Sequence, residues 1–490
     1  MRLKLKSLRI FTGKPVIFLH ESSARKLGVR TGDRVAIKRN GDILIAVVDM
    51  TKGLIKKNEV ALSEELSASI KHYKGYIEVL PSEIAESSTI LQNQKGCREY
   101  SEKDLEKIMK DVVNNRLTEA EIAYFISTMV HCKASLKETI YLINAIVKTG
   151  VTISWGKRII ADKHSIGGIP GNRTTPIVVS ICAVAGVIMP KTSSRAITSA
   201  AGTADTIESI APVSLTINEL KRVVKKTGAC LAWGGSLGLA PADDKLIRVE
   251  KLLRVDPESQ LIASILAKKI SVGSTHVLID IPYGNGAKVS RESGQRLEKM
   301  FVSLGKKLGL KIRTILTRGN EPIGNGIGPI LEIKDVIRVL KQDNPPKDLE
   351  EKSLLLAGNI LEMVGKSKKS KGIMKAKEIL YSGQAFTKFA EIIREQGGDP
   401  KAWLPEAKYN HTILSKHKGT IEKISNHDTN YLARIAGCPT DKASGLYLYK
   451  HVGQEVARGD KLVTIFSESK PRLKEAIKFF KKHKPIIISG

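Results

Sequence analysis

The spacing of apolar positions changes character along this 490-residue chain. Up to about residue 84 apolar and polar residues alternate, as in Leu3/Leu5/Leu8, Val35/Ile37 and Ile43/Ile45/Val47. A period of two places successive side chains on opposite faces of a strand, and the turn triplets Thr31-Gly32-Asp33 and Asn40-Gly41-Asp42 separate the runs. A small β-barrel module is expected there. From about 85 the period lengthens to that of helices. Ser101/Asp104, Thr118/Glu121 and Ser135/Glu138 have capping-box spacing. Each heads an apolar stripe: Leu105/Ile108/Met109/Val112, Ile122/Phe125/Ile126/Met129 and Ile140/Ile143/Ile146/Val147, with Gly150 as the stop. Three packing helices are predicted. Beyond 155 short apolar runs alternate with helical patterns, as in an α/β domain. Strands are predicted at 158–161 and 187–189, and helices at 176–185 and 205–210. From about 411 short strands and glycine turns return, around Gly437, Gly445, Gly453 and Gly459.

Composition narrows the function classes. With 42% apolar residues the chain can bury two or more cores. Its longest apolar runs, such as Ile177 to Met189, are broken by Ser180 and Gly186 and are too short to span a bilayer. The N-terminal MRLKLKSLRIF lacks the sustained apolar stretch of a secretion signal. Cys97, Cys132, Cys182, Cys230 and Cys438 form no CxxC pair and accompany no histidine cluster. Neither a metal site nor a disulfide framework is expected, and a reducing cytoplasm fits. The net charge of +30 is spread along the chain, and its densest run, Lys366 to Lys377, reads as a solvated face. RNA binding is the alternative of another class, but no aromatic-plus-basic signature supports it, and nucleic acid is not the expected partner. The same charge suits small anionic substrates.

Two polar loops of the α/β region carry candidate chemistry. The first, Asp162 to Arg173, has three glycines, with Lys163 and Ser165 supplying a cation and a hydroxyl. The helix after it is expected to start behind Thr174 or Thr175 with Pro176 at its first position. This is an anion cradle, though a plain turn has the same composition. The second, Lys191 to Glu208, packs Thr192, Ser193, Ser194, Thr198, Ser199 and Thr203 around Arg195. Hydroxyls around a fixed cation are what phosphate oxygens require. A capped helix with a decorated turn is the competing reading.

DKHSIGG and SSRAITSAAGTADTIE resemble the paired signatures of the thymidine and pyrimidine-nucleoside phosphorylases. The similarity continues through LAPADDK (239–245), ASILAKK (263–269) and GNEPIGNGIG (319–328). Within that family the chain most resembles the AMP phosphorylase branch. Ser194 and Ala196 stand where the nucleoside enzymes have glycine, and Ala200-Ala201-Gly202-Thr203 replaces their TGGT. The added hydroxyl suits a 5′-phosphate. The resemblance implies an α/β multidomain fold. Its parts are an N-terminal β-barrel (1–84), a helical domain (85–155 with 243–271) and a large α/β domain (156–410) with a central mixed sheet. A C-terminal α+β region (411–490) resembles the family's barrel-sandwich portion.

The resemblance also implies roles. Inorganic phosphate, a co-substrate, would meet Lys163, Ser165, Ser193 and Thr203. AMP would meet Gly168, Ser194, Arg195, Ala196, Ile197, Thr198, Ser199, Thr203, Ser264 and Lys288. Asp256 would protonate the departing base, although Asp256-Pro257 also has the form of a helix start. His164 and Lys268 are weaker candidates, with a structural hydrogen bond and an exposed helix face as their alternatives. The implied reaction is phosphorolysis of AMP, with CMP and UMP as further candidates. Cleavage of a pyrimidine nucleoside is the enzymatic alternative. No cofactor beyond phosphate, no membrane partner and a cytoplasmic homo-oligomer of at least two subunits are expected.

Overall fold

The computed structural model describes residues 1–489 apart from 40–41, 71–74, 95, 157 and 197–198. The expected turn at Asn40-Gly41 therefore lies outside the described residues, as do the candidates Ile197 and Thr198.

Met1–Thr149 and Pro241–Gln260 form one compact unit. Its strands are β1 (Arg2–Lys6), β2 (Val16–His20), β3 (Arg34–Arg39), β4 (Asp42–Thr51), β5 (Glu59–Leu62) and β6 (Tyr76–Pro81). They close into a barrel in the order β1-β5-β2-β4-β3-β6. Leu3, Ile17, Leu19, Val35, Ile37 and Val79 fill its interior, as the period of two requires.

The helices Glu102–Val113, Glu119–His131 and Leu136–Lys148 follow. Ser101 and Thr118 make reciprocal capping boxes with Asp104 and Glu121. The third is half a box. Ser135 accepts from the Glu138 amide, but the Glu138 carboxylate accepts from the Tyr100 backbone at 3.0 Å instead.

A disulfide joins Cys97 to Cys132, contrary to the expectation from cysteine spacing. Cys132 ends the Glu119–His131 helix, and the loop entering the Ser101 cap returns to that end, so the two Cα atoms lie 5.2 Å apart. The pairing is tertiary, across 35 residues, and leaves no local motif.

Gly150–Ala240 and Leu261–Gly490 form the second unit. Its strands β7 (Ala161–Ser165), β8 (Met189–Ser193), β9 (Ala229–Trp233), β10 (His276–Tyr283) and β11 (Lys311–Arg318) pair as β11-β10-β7 and β8-β9. An Ile160–Ile188 bridge links the two sets. The multidomain α/β class stands. Within it every described pairing of this central sheet is parallel, where a mixed sheet was expected.

The sequence placed the first two strands about three residues too early. Apolar content falls after Ala161 and Met189, yet burial continues through Asp162, Lys163, Lys191 and Thr192. Ion pairing and hydrogen bonding let these polar residues stay in strands. The helix Thr174–Val184 is buried along its length against residues such as Ile333, Val336 and Leu356. Its N-cap is Arg173 and its first position Thr174, so Pro176 sits at the third position rather than the first. Another helix spans Thr203–Ile207, two residues ahead of the expected start.

Near the C-terminus lie β12 (Gly326–Ile327), β13 (Tyr409–Leu414), β14 (Gly419–Ile424), β15 (Gly445–Leu448), β16 (Glu455–Val456), β17 (Lys461–Ser467) and β18 (Ile486–Ser489). They form two antiparallel sheets, β12-β15-β17-β13 and β16-β14-β18, beside the helices Asn426–Ala436 and Lys470–His483.

Candidate active site

Parallel strands all point their carboxyl ends to one edge of a sheet, where ligands bind in open α/β folds. The cradle follows β7, the signature loop follows β8 and the Lys288 loop follows β10. These three loops therefore share one edge.

Two buried charge clusters flank β7. Asp162, fully buried, lies 2.7 Å from Lys269 Nζ and 3.5 Å from Lys191 Nζ. Burial works against its charge, but the two ammonium groups hold its carboxyl below the ordinary value. On the opposite strand face, Lys163 donates to the Thr174 hydroxyl at 2.8 Å and the Thr175 hydroxyl at 3.4 Å. Those threonines, expected to cap their helix, serve the lysine instead. Burial, with Lys352, Lys191 and Arg173 nearby, lowers Lys163 to about 7, while Asp280 opposes the shift. Asp280 is itself pinned by Lys352 Nζ at 3.0 Å and by the Thr317 hydroxyl, which donates at 2.6 Å. Lys163 is thus a cation close to its neutral point, able to respond to an arriving dianion.

His164 follows on β7. Burial first, then Lys269, Lys191, Lys268 and Lys163, pushes its imidazole well below the usual range. Lys268 therefore contributes to the electrostatics of the cradle. It shares the helix Glu258–Ser271 with Ser264, one turn away. Ser165 accepts from Asn172 Nδ2 at 3.3 Å. Gly168 is pressed against the Lys288 loop: at φ +93°, a Cβ there would stand 2.9 Å from Lys288 Cγ. The strand preceding Lys288 runs to Tyr283.

The signature loop is organised by its own acids. Asp205 accepts from the amides of Ala196 and Gly202 at 2.7 and 2.8 Å. Arg195 pairs in two-pronged fashion with Glu208 at 2.6 and 2.9 Å, reaches Asp205 at 3.2 Å, and stacks over the Trp233 ring. The hydrogen bonds from Arg195, assisted by its charge and that of Lys442, hold Glu208 down at about 2. The candidate cation of this loop is thus a structural clamp in the protein as it stands. Ser199 donates to the Ala201 carbonyl at 2.6 Å. Among the described residues, Ser193 and Ser194 make no side-chain hydrogen bond, so their hydroxyls are open to an anion. Thr203 accepts at 2.9 Å from Arg173, whose side chain also donates to the Ala201 carbonyl and pairs with buried Glu332. One guanidinium therefore ties the end of the cradle to the signature loop. Asp256 belongs to the first unit, two residues before the Glu258–Ser271 helix.

Residues 157–386 match the glycosyl transferase family a/b domain, and residues 420–486 match the pyrimidine nucleoside phosphorylase C-terminal domain. The AMP phosphorylase of Pyrococcus furiosus is 41% identical over 495 residues, covering 100% of this chain and 98% of that protein. That of Thermococcus sibiricus is 40% identical with the same coverage, and AMP phosphorylase 1 of Archaeoglobus fulgidus is 38% identical over 98% of this chain and 96% of its own. The chain belongs to the AMP phosphorylase family. Anthranilate phosphoribosyltransferase from Thermus thermophilus superposes with a TM-score of 0.52 at 16% identity, over 64% of this chain and all of the other, and shares the fold.

Within this family member, Asp162, Arg173, Lys191, Lys269, Asp280, Glu332 and Lys352 escaped the sequence reading as site residues. A signal existed for one of them. Asp280 interrupts the apolar run Val277-Leu278-Ile279, and a charge in a buried strand demands a partner.

Proposed function

We propose that the chain catalyses phosphorolysis of AMP to adenine and ribose 1,5-bisphosphate, with inorganic phosphate as co-substrate and no further cofactor. The observation that carries this reading is the set of three loops at the carboxyl edge of the parallel sheet. There a buried lysine near neutrality and open hydroxyls stand beside two tightly clamped turns.

In this reading inorganic phosphate is held by Lys163, Ser165, Ser193 and Thr203. AMP is held by Gly168, the 194–199 run, Thr203, Ser264 and Lys288. Attack of a phosphate oxygen on C1′ forms the new C–O bond as the bond to adenine N9 breaks. Asp256 donates a proton to the departing base, and the carboxylate regains one from solvent. Orientation of two reactants contributes up to roughly 7–11 kcal/mol. General acid assistance adds about 10²–10⁴-fold. CMP and UMP are the further substrates, and the working enzyme is a cytoplasmic oligomer of at least two subunits.

Turnover of AMP, CMP and UMP, each with phosphate, against thymidine and uridine tests the reading. Nucleotide turnover at least tenfold above nucleoside turnover supports it. Efficient cleavage of thymidine or uridine with AMP untouched overturns it in favour of a nucleoside phosphorylase. Salt-sensitive RNA binding without any base release overturns the enzymatic reading as a whole.

A further inference from the structure

The helix Asn426–Ala436 lies in the C-terminal region, where the sequence showed no chemistry. Its polar residues at positions 426, 430 and 434 recur every four residues and so share one face. Each reaches a loop of the candidate site. Asn426 Nδ2 donates to the carbonyls of Gly319 at 2.8 Å and Gly286 at 3.3 Å. Gly286 lies two residues before Lys288. Asn430 Oδ1 accepts from the Ala200 amide at 2.9 Å, and Arg434 donates to the Ser199 carbonyl at 3.1 Å. The side chain of Ala200 enters the apolar cluster of Leu432, Ala433 and Ala436 on the same helix. Asn426 and Asn430 are 1% and 8% exposed, so their bonds form in a setting that water does not share.

We propose that Asn426, Asn430 and Arg434 are positioning residues for the nucleotide, fixing the signature loop and the Lys288 loop at a set separation from one helix. The inference rests on the assignment of Ser199 and Lys288 to AMP. Neither loop has regular structure where the helix grips it, so its backbone is held by these donors and acceptors. Ala200 replaces the first threonine of the nucleoside enzymes' TGGT. The small side chain lets the loop backbone seat on the helix. On this account the C-terminal region sets substrate affinity in addition to any part in assembly. Of the residues assigned to inorganic phosphate, Lys163 and Ser165 lie on β7, Ser193 ends β8 and Thr203 is held by Arg173, and none of the four receives a bond from this helix among the described residues. Affinity for inorganic phosphate is therefore left largely alone.

The test compares Asn430→Ala, Asn430→Asp, Asn426→Ala and Arg434→Met in the full chain. Steady-state KM is measured for AMP and for phosphate, with hydrogen exchange at Ala200 and across 284–288. Losing the acceptor for a buried amide is expected to raise KM for AMP about tenfold in Asn430→Ala, with KM for phosphate within twofold. Asn430→Asp keeps an oxygen facing the amide and is expected to stay within about threefold of the parent. Arg434 is exposed, so Arg434→Met folds and gives a smaller rise, about threefold. Exchange at Ala200 quickens in Asn430→Ala, and exchange across 284–288 quickens in Asn426→Ala, whether or not AMP is turned over. Unchanged exchange overturns the proposal. So does a parallel rise in both KM values, or equal loss in Asn430→Asp and Asn430→Ala. A parent enzyme that releases no adenine from AMP overturns the assigned function instead, and exchange still decides the role of the helix.

Discussion

Replacing Arg173 by methionine removes a guanidinium that three acceptors share. Its side chain is 7% exposed and that of its partner Glu332 is 1% exposed, so the substitution strands a carboxylate away from water. Breaking one side of a buried pair costs roughly 3–5 kcal/mol. The bonds to Thr203 and to the Ala201 carbonyl each add about 0.5–1.5 kcal/mol, partly overlapping with that figure. A net loss of roughly 4 kcal/mol, at about 2 °C per kcal/mol for a unit of this size, lowers the melting temperature by roughly 8 °C. Burial already raises the Glu332 carboxyl, with Arg173 opposing. Without Arg173 the rise grows. A carboxyl raised in the folded state stabilises below its unfolded value of about 4.3 and loses that stabilisation as pH climbs. The deficit of Arg173→Met is therefore smallest near pH 5 and grows toward pH 8. Calorimetry at both pH values, with KM for phosphate measured alongside, provides the assay. Adding Glu332→Gln to Arg173→Met should recover part of the stability, because the stranded charge is gone. KM for phosphate should stay high, because Thr203 has lost its donor. A variant that melts within 1 °C of the parent at pH 8, with unchanged KM, would refute the reasoning.

Other expectations follow from single contacts. Lys163, lowered to about 7, is charged below that pH and neutral above it. KM for phosphate should thus climb about tenfold per unit above roughly pH 7 and level off below; initial rates from pH 5.5 to 9 read this directly. Gly168→Ala places a methyl 2.9 Å from Lys288 Cγ at a positive φ and should raise KM for AMP tenfold or more, approximately, while the melting temperature falls by only a few degrees. Asp256→Asn should lower kcat by about 10²–10⁴-fold while calorimetric AMP affinity changes little; equal loss of binding would assign Asp256 a different role. Reducing the Cys97–Cys132 disulfide, or Cys132→Ser, should destabilise the first unit by roughly 3–4 kcal/mol, because it closes a 35-residue loop; denaturant melts with and without reductant test it.

The barrel and its neighbouring helices were legible because a period of two and a period near 3.6 fill separate cores there. Ser101 and Thr118 carry their helix starts in side chains three residues apart. Glu138 broke the pattern because the Tyr100 amide competes for its carboxylate, and Tyr100 is distant in sequence. Strand ends at the site were misplaced because β7 and β8 continue through buried polar residues such as Asp162 and Lys191, and the partners of Asp162, Lys269 and Lys191, come from elsewhere in the fold. The loops were legible as anion cradles from glycines and hydroxyls. Arg195 was not legible as a clamp on Glu208, since spacing alone does not say whether a guanidinium faces a ligand or its own loop. Arg173 and the 426/430/434 face act through backbone carbonyls and amides, which no side-chain motif records.

The most direct test follows the sugar product when the enzyme is given AMP and inorganic phosphate. Phosphorus NMR should show AMP and phosphate consumed in equal amounts as two new sugar-phosphate resonances of ribose 1,5-bisphosphate appear, with one adenine released per turnover. Adenine released at the same rate without phosphate, or ribose 5-phosphate as the sole sugar product, would mean hydrolysis and would contradict the account.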